Sequence, residues 1–396
     1  MAVTTQDRIL FLDVLRGLAV LGILAVNAAF FAYAFHAPHN VPPFASTPAS
    51  QTVIWLTRTF FEAKFITMFS MLFGVSVFLV GGERRDPERS PVLRRRLGWM
   101  ILFGLMHGIG IWYGDVLLAY ALAGMMVMLA RSWTPKRLIA VGIILLSPMI
   151  LLTLAGVVGT MLADPAAVAK DALAFPAYRL GYTGSFIASL TANALDWLNV
   201  STWLVLVHVA FAGPFMLIGM GLFKAGVLRG TASTRLYRRL VAGGALALLA
   251  TGTFVALQLR YGHFSVLGAA AEAVLTIAAP FITLGYAGLI LLSLRRAGAK
   301  SLFARILAPV GRMAFTNYIT QSVVMTMIFY GGRGLGLFGQ LDRPAIFAIV
   351  VGVWLAQILI SRLWLARFSM GPLEWVWRRL SYGRPVGLRR GALQPA

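Results

Sequence analysis

RILFLDVLRGLAVLGILAVNAAFF, residues 8–31, is an apolar run long enough to cross a bilayer that nevertheless carries an acid, a guanidinium and an amide within it. A helix needs about 20 mostly apolar residues to cross roughly 30 Å of hydrocarbon. Comparable runs recur along the whole chain, at 9–31, 53–81, 97–113, 116–131, 138–162, 202–223, 240–259, 269–294, 308–330 and 345–366. They predict an all-α fold, a polytopic transmembrane bundle of about ten helices. The runs are continuous rather than alternating, which argues against a β-barrel. Composition agrees. With 59% hydrophobic and 12% charged residues and a mean hydropathy of +0.81, 396 residues have too little polar surface to cover a water-soluble body.

The net charge of +22 could point to nucleic acid, but its placement points to a membrane. Arg84, Arg85, Arg89 and Arg94 to Arg96 crowd one loop, and further Lys and Arg fill every second loop after it. By this division 27 of the 35 basic residues, Arg8 included, lie on one side and 5 on the other. Basic excess marks the cytoplasmic face, which places both termini in the cytoplasm of a bacterial-type inner membrane and predicts contact with anionic lipids. Nucleic acid is not expected as a partner, and self-association into a homo-oligomer is open. No cysteine is present, so disulfides and thiolate chemistry are excluded. The triplet Ala32-Tyr33-Ala34 resembles a signal-peptide cleavage site, yet the polar residues of the first run favour a retained span.

The chain reads as one integral membrane domain, 1–396, with halves at about 1–223 and 224–385 and a flexible basic tail at 386–396. The long non-cytoplasmic stretch 163–200 predicts helical turns on the bilayer surface and a natural lid. Gly104 and Gly108 have the spacing of a close helix contact. Gly334, Gly336 and Gly339 match a dinucleotide fingerprint, but they lie in a loop between two spans rather than between a strand and a helix, so the match carries no binding site.

Ionisable groups at membrane depth are costly and therefore mark function first. Asp13, Arg16 and Asn27 fall within about 60° on one helical face, and Arg16 and Asn27 stand about 16 Å apart along the axis. The Asp13–Arg16 pair either orients the helix or begins a polar path through the bundle. Lys64 has no acid partner in its own helix, unlike Arg58, which has Glu62 four residues on. It would either snorkel to the interface or meet a group from elsewhere, a ligand anion included. His107 and Asp115 are candidates for acid–base catalysis, although eight residues and a turn separate them. His208 is a second histidine within a span. Arg312, Asn317 and Gln321 share the ninth run, where the two amides would hold a polar ligand or join helices. No spacing suggests a metal site.

Several stretches, in order, resemble a known family: Asp13-Val-Leu-Arg16-Gly17-Leu-Ala19 to Asn27, Lys64-Phe65 through Gly74, Arg96-Leu97 through Gly104-Leu-Met-His107-Gly108, Asp115-Val-Leu117, Gly311-Arg312-Met313 with Asn317-Tyr318, and Gly371-Pro-Leu-Glu374-Trp375 with Trp377-Arg378. Together they resemble the YeiB-like family, whose C-terminal part is domain of unknown function 418. The first span is also similar to that of transmembrane acyltransferases of the sugar O-acyltransferase and heparan glucosamine N-acetyltransferase types. Where the sugar enzymes show Arg, ten residues and His, this chain has Arg16 and Asn27; His36 and His39 loosely resemble a histidine that the glucosamine type carries after that span.

The resemblance implies a cytoplasmic acyl-CoA, used as co-substrate rather than as a bound cofactor, passing its acyl group to a small-molecule or glycan acceptor. Arg16, Lys64 and Arg312 would then meet the phosphates, a histidine would take the acceptor proton, and Asn27 or Gln321 would donate to the oxyanion. A transporter or exporter of a small or lipidic molecule would use the same polar stripe as a path.

Overall fold

A computed structural model describes residues 5–33, 47–84, 86–162, 181–263, 265–383 and 385–389. The chain folds into α1 (Thr5–Ala32), α2 (Pro48–Phe60), α3 (Lys64–Gly81), α4 (Arg89–Gly110), α5 (Leu117–Val127), α6 (Pro135–Leu162) and α7 (Phe186–Lys224). There follow α8 (Thr234–Tyr261), α9 (Val266–Ala297), α10 (Leu302–Arg312), α11 (Ala314–Phe329), α12 (Arg343–Arg367) and α13 (Pro372–Tyr382). Among the described residues there is no β-strand, only an isolated bridge between Phe368 and Arg389.

Seven stretches are long and apolar enough to cross a membrane: Leu10–Ala32, Pro48–Gly81, Pro135–Leu162, Ser201–Lys224, Thr234–Tyr261, Val266–Lys300 and Arg343–Arg367. This is a helical membrane protein. The other three expected runs correspond to α4, α5 and α11, which are shorter or more polar. Ala119, Tyr120, Met325 and Phe329 on α5 and α11 are almost fully buried, so these helices meet protein rather than lipid and need less hydropathy. The lipid-facing rim is formed by α6, α8 and α12, where residues such as Leu152, Leu246 and Leu363 are exposed.

Two runs expected as single helices are broken. The run 53–81 divides at Phe61–Ala63, where Ala63 takes a left-handed φ of 66°. That conformation costs roughly 1–2 kcal/mol for a residue with a Cβ. Lys64 Nζ compensates by donating to the Arg58 carbonyl at the end of α2, 2.8 Å away. The run 308–330 divides at Met313, and α11 starts afresh with its first amides taken up by Glu374. In the stretch expected as a lid, α7 starts at Phe186 and runs unbroken into the span Ser201–Lys224; 163–180 lies outside the described residues.

Helices approach closely where glycines allow it. A Cβ on Gly311 would fall 1.8 Å from the Asp13 carbonyl oxygen, and one on Gly17 would fall 2.1 Å from that of Leu307, so α1 and α10 touch backbone to backbone. A Cβ on Gly104 would fall 2.5 Å from the Leu118 amide nitrogen of α5, and one on Gly108 2.1 Å from the Trp197 indole nitrogen.

Candidate functional site

Inside the bundle a cavity of about 610 Å³ follows α1 from Asp13 and Arg16 to Asn27 and Phe30. Its walls come from α3 (Ile66, Phe69, Phe73), α4 (Leu97, Met100), α5 (Leu117, Tyr120) and α7 (Leu204, His208). The middle is apolar; the Tyr120 hydroxyl on its wall is bonded to Ser70 behind it at 2.6 Å. The two ends are not alike.

At the Arg16 end the cavity is crowned by four guanidiniums, those of Arg16, Arg96, Arg312 and Arg378. Two acids accompany them, and both are engaged. Asp13 pairs with Arg16 at 2.8 Å. Glu374 accepts from the amides of Phe315 and Thr316 at 2.7 and 3.1 Å and from Thr316 Oγ1 at 2.6 Å, capping α11. Burial lifts the Glu374 carboxyl above its ordinary range against these hydrogen bonds. Arg16 also donates to Ser76, and Arg312 to the Ser369 carbonyl at 2.7 Å. The Arg96 guanidinium lies 3.9 Å over the Trp377 ring, whose Nε1 donates to the Arg96 carbonyl. The crown therefore carries surplus positive charge next to an apolar shaft.

At the other end Trp112, Tyr113, Asn27 and His208 line the cavity. Phe31 stacks on Trp112 at 4.0 Å, and Tyr113 Oη donates to the Phe30 carbonyl at 3.2 Å. The turn after α4 is clasped from α7 by Asn193, which accepts from the Tyr113 amide and donates to the Gly108 and Ile109 carbonyls. That clasp folds the turn back and brings His107 and Asp115 together, with Nδ1 and Oδ1 2.9 Å apart and both side chains 1% exposed. Asp115 also accepts from the amides of Leu117 and Leu118 at the start of α5. A carboxylate held by amide donors can only accept from the imidazole, so Nδ1 carries the proton and Nε2 of neutral His107 is the acceptor. Nε2 has no partner and is buried one ring behind the wall, beside Tyr318 and Trp112.

Of the residues singled out in the sequence, Asp13, Arg16, Asn27 and Arg312 line the cavity together. Lys64, Asn317 and Gln321 do not. Lys64 is spent on the α2 terminus, and Arg58 on Glu62 and Glu272 at 2.9 and 2.5 Å. Asn317 donates to the Val310 carbonyl and Ser361, while Gln321 donates to Gln357 and the Val20 carbonyl, so these amides join helices. His36 and His39 lie outside the described residues. His208 donates through Nδ1 to the Leu204 carbonyl at 2.7 Å and faces the cavity from α7. Among the described residues no three His, Asp or Glu side chains gather as a metal site would need.

Arg96, Arg378, Glu374 and Tyr318, which enter the sequence reading only within the family stretches, and Trp112, which does not enter it, also line the cavity. As single residues the two arginines read as loop charges that set topology. The signal was spacing: Arg96 and His107 stand on α4 as Arg16 and Asn27 stand on α1, eleven residues apart and pointing the same way along the cavity.

Fold and site together define a polytopic α-helical membrane protein with an arginine-crowned internal cavity. The chain belongs to the YeiB-like family: it is 32% identical over 387 residues to YeiB of Escherichia coli, covering 95% of this chain and 97% of that one. It is likewise 32% identical over 398 residues to YxaH of Bacillus subtilis, covering 96% and 95%. Both relatives are described as uncharacterized proteins. Residues 222–384 match the family described as Protein of unknown function (DUF418). No solved structure matches the chain.

Proposed function

We propose that this protein is a transmembrane acyltransferase of the bacterial cytoplasmic membrane, crossing it ten times with both termini inside. It would pass an acyl group from cytoplasmic acyl-CoA to a hydroxyl or amine of a small-molecule or glycan acceptor. The observation that carries this reading is the cavity's polarity: four arginines at one end, the His107–Asp115 pair beside the other, and an apolar shaft between. Eleven helical residues separate the ends on both α1 and α4, about 16 Å. A phosphopantetheine arm is about as long as four to five extended residues, roughly 15–17 Å, and so would span the shaft. The resemblance of the first span to that of membrane acyltransferases supports the same reading.

On this reading the crown binds the phosphates by charge-assisted hydrogen bonds, and the shaft takes the arm with Asn27 hydrogen-bonding its far part. His107 Nε2 accepts the proton of the acceptor as its oxygen or nitrogen bonds to the thioester carbon. The C–S bond then breaks, and the thiolate leaves with the proton returned by the His107 imidazolium. Asp115 holds the imidazole in the required tautomer throughout.

The test is binding and turnover of radiolabelled acetyl-CoA by the full-length protein in detergent, with transfer to acceptors sought in its own membranes. Saturable binding with acylated product supports the proposal. Membranes rich in the protein that neither bind nor consume acyl-CoA overturn it and favour transport of an anionic amphiphile through the same cavity.

A further inference from the structure

Buried polar atoms almost always find partners, and those that do not call for an explanation. Three such atoms belong to residues whose rings pack around His107 at the deep end of the cavity: His107 Nε2, Trp112 Nε1 and Tyr318 Oη. The His107 ring centroid is 5.2 Å from that of Tyr318 and 6.4 Å from that of Trp112. Both aromatic residues are cavity-lining although almost wholly buried, 3% exposed for Trp112 and 7% for Tyr318.

The chemistry of the three atoms is complementary. Nε2 of neutral His107 accepts, whereas an indole N–H can only donate. Tyr318 Oη, near the Val116 amide, has no acceptor for its own proton. His107 Nε2 can accept from only one of the two donors, and once it takes up a proton in the reaction it accepts from neither, so both then need an acceptor atom from a guest in the cavity. The indole is held in place by Phe31 stacked at 4.0 Å, which makes it a fixed donor rather than a swinging one. Gln321, the other amide at this depth, has both donors committed to α12 and α1.

We infer that Trp112 and Tyr318 are the hydrogen-bond donors for the acyl carbonyl oxygen, holding the negative charge it gains as the acceptor attacks. The inference rests on the acyltransferase reading and names the residues that stabilise its transition state. Donors fixed before the reaction act strongly in a site without water. When the acceptor's oxygen or nitrogen bonds to the thioester carbon, the carbonyl π electrons move onto oxygen between the two donors. They return as the C–S bond breaks, while the acceptor's proton resides on His107.

The test uses Trp112→Phe and Tyr318→Phe in the full-length protein, since both keep the ring and delete only the donor. With acetyl-CoA as donor, each variant should lower kcat by about 10² to 10³, the usual effect of losing one such donor, while the dissociation constant for acetyl-CoA changes less than about threefold. A second measurement needs no variant. The infrared carbonyl band of isotope-labelled acetyl-CoA bound to the wild type should lie below its position in an apolar solvent, as two donors would impose. Wild-type turnover with full kcat in both variants, or an unshifted carbonyl band in the bound thioester, overturns the donor assignment and leaves the acyltransferase reading standing. Absence of any wild-type transfer instead removes the reading beneath it.

Discussion

His107 and Asp115 are hydrogen-bonded at 2.9 Å although α4 ends between them, because the turn that carries Asp115 is folded back and clasped by Asn193. The pair has the parts of a general base: an orienting carboxylate, a fixed tautomer and a vacant Nε2.

His107→Ala should therefore lower acyl transfer by about 10² to 10⁴ and leave acyl-CoA affinity nearly unchanged. The check is kcat beside an equilibrium binding curve. Full transfer in the variant would move the base to His208, which faces the same cavity from α7.

The arginine crown predicts the opposite split. Arg378 makes no ion pair among the described residues yet lines the cavity mouth, so Arg378→Ala should spare the fold. Losing a hydrogen bond to a charged group costs about 1.5–3 kcal/mol, which corresponds to roughly 10- to 150-fold weaker acyl-CoA binding. kcat at saturation should hold. Equal affinity of variant and wild type at low salt would place the phosphates elsewhere.

Glu374 gives a pH dependence. Burial raises its carboxyl above the ordinary value of 4.5, so the folded state holds the proton more tightly than the unfolded chain does. Its contribution to stability is fully present below that ordinary value and is lost as pH rises through the raised folded value. The difference in thermal midpoint between wild type and Glu374→Gln, which cannot ionise, should thus shift against the wild type as pH rises from about 4 to neutrality. A difference that stays constant over this range rules out a raised carboxyl.

Orientation is tested at Ser185, the exposed cap of α7. The chain has no cysteine of its own, so Ser185→Cys introduces a single thiol. It should react with a membrane-impermeant reagent in intact cells; labelling only after lysis would invert the topology.

The helical class and nearly every apolar run were legible because hydropathy reports burial in lipid directly. The breaks at Ala63 and Met313 were not, since Glu62 and Lys64 beside the one and Arg312 beside the other read as polar groups within longer apolar runs, and Pro309 and Gly311 fall before the second break rather than at it. Asp13, Arg16, Asn27 and Arg312 could be found as polar groups in apolar helices. Arg96 and Arg378 resembled the topological charge around them, and only the fold shows that they turn inward. Lys64, Asn317 and Gln321 looked equally promising, yet their partners are backbone carbonyls and amides, which no side-chain pattern displays.

The backbone contact of Gly17 with α10 has a consequence for biosynthesis. Roughly 300 residues separate the two faces, so at about 5–20 residues per second α1 waits on the order of 15–60 s in the membrane before its partner is made. During that interval Arg16 has neither Arg312 nor Arg378 around it. Its partner Asp13 lies one turn away in the same helix and travels with it, so the first span enters lipid electrically neutral at that depth. The local ion pair acts as the span's own escort until the rest of the bundle arrives.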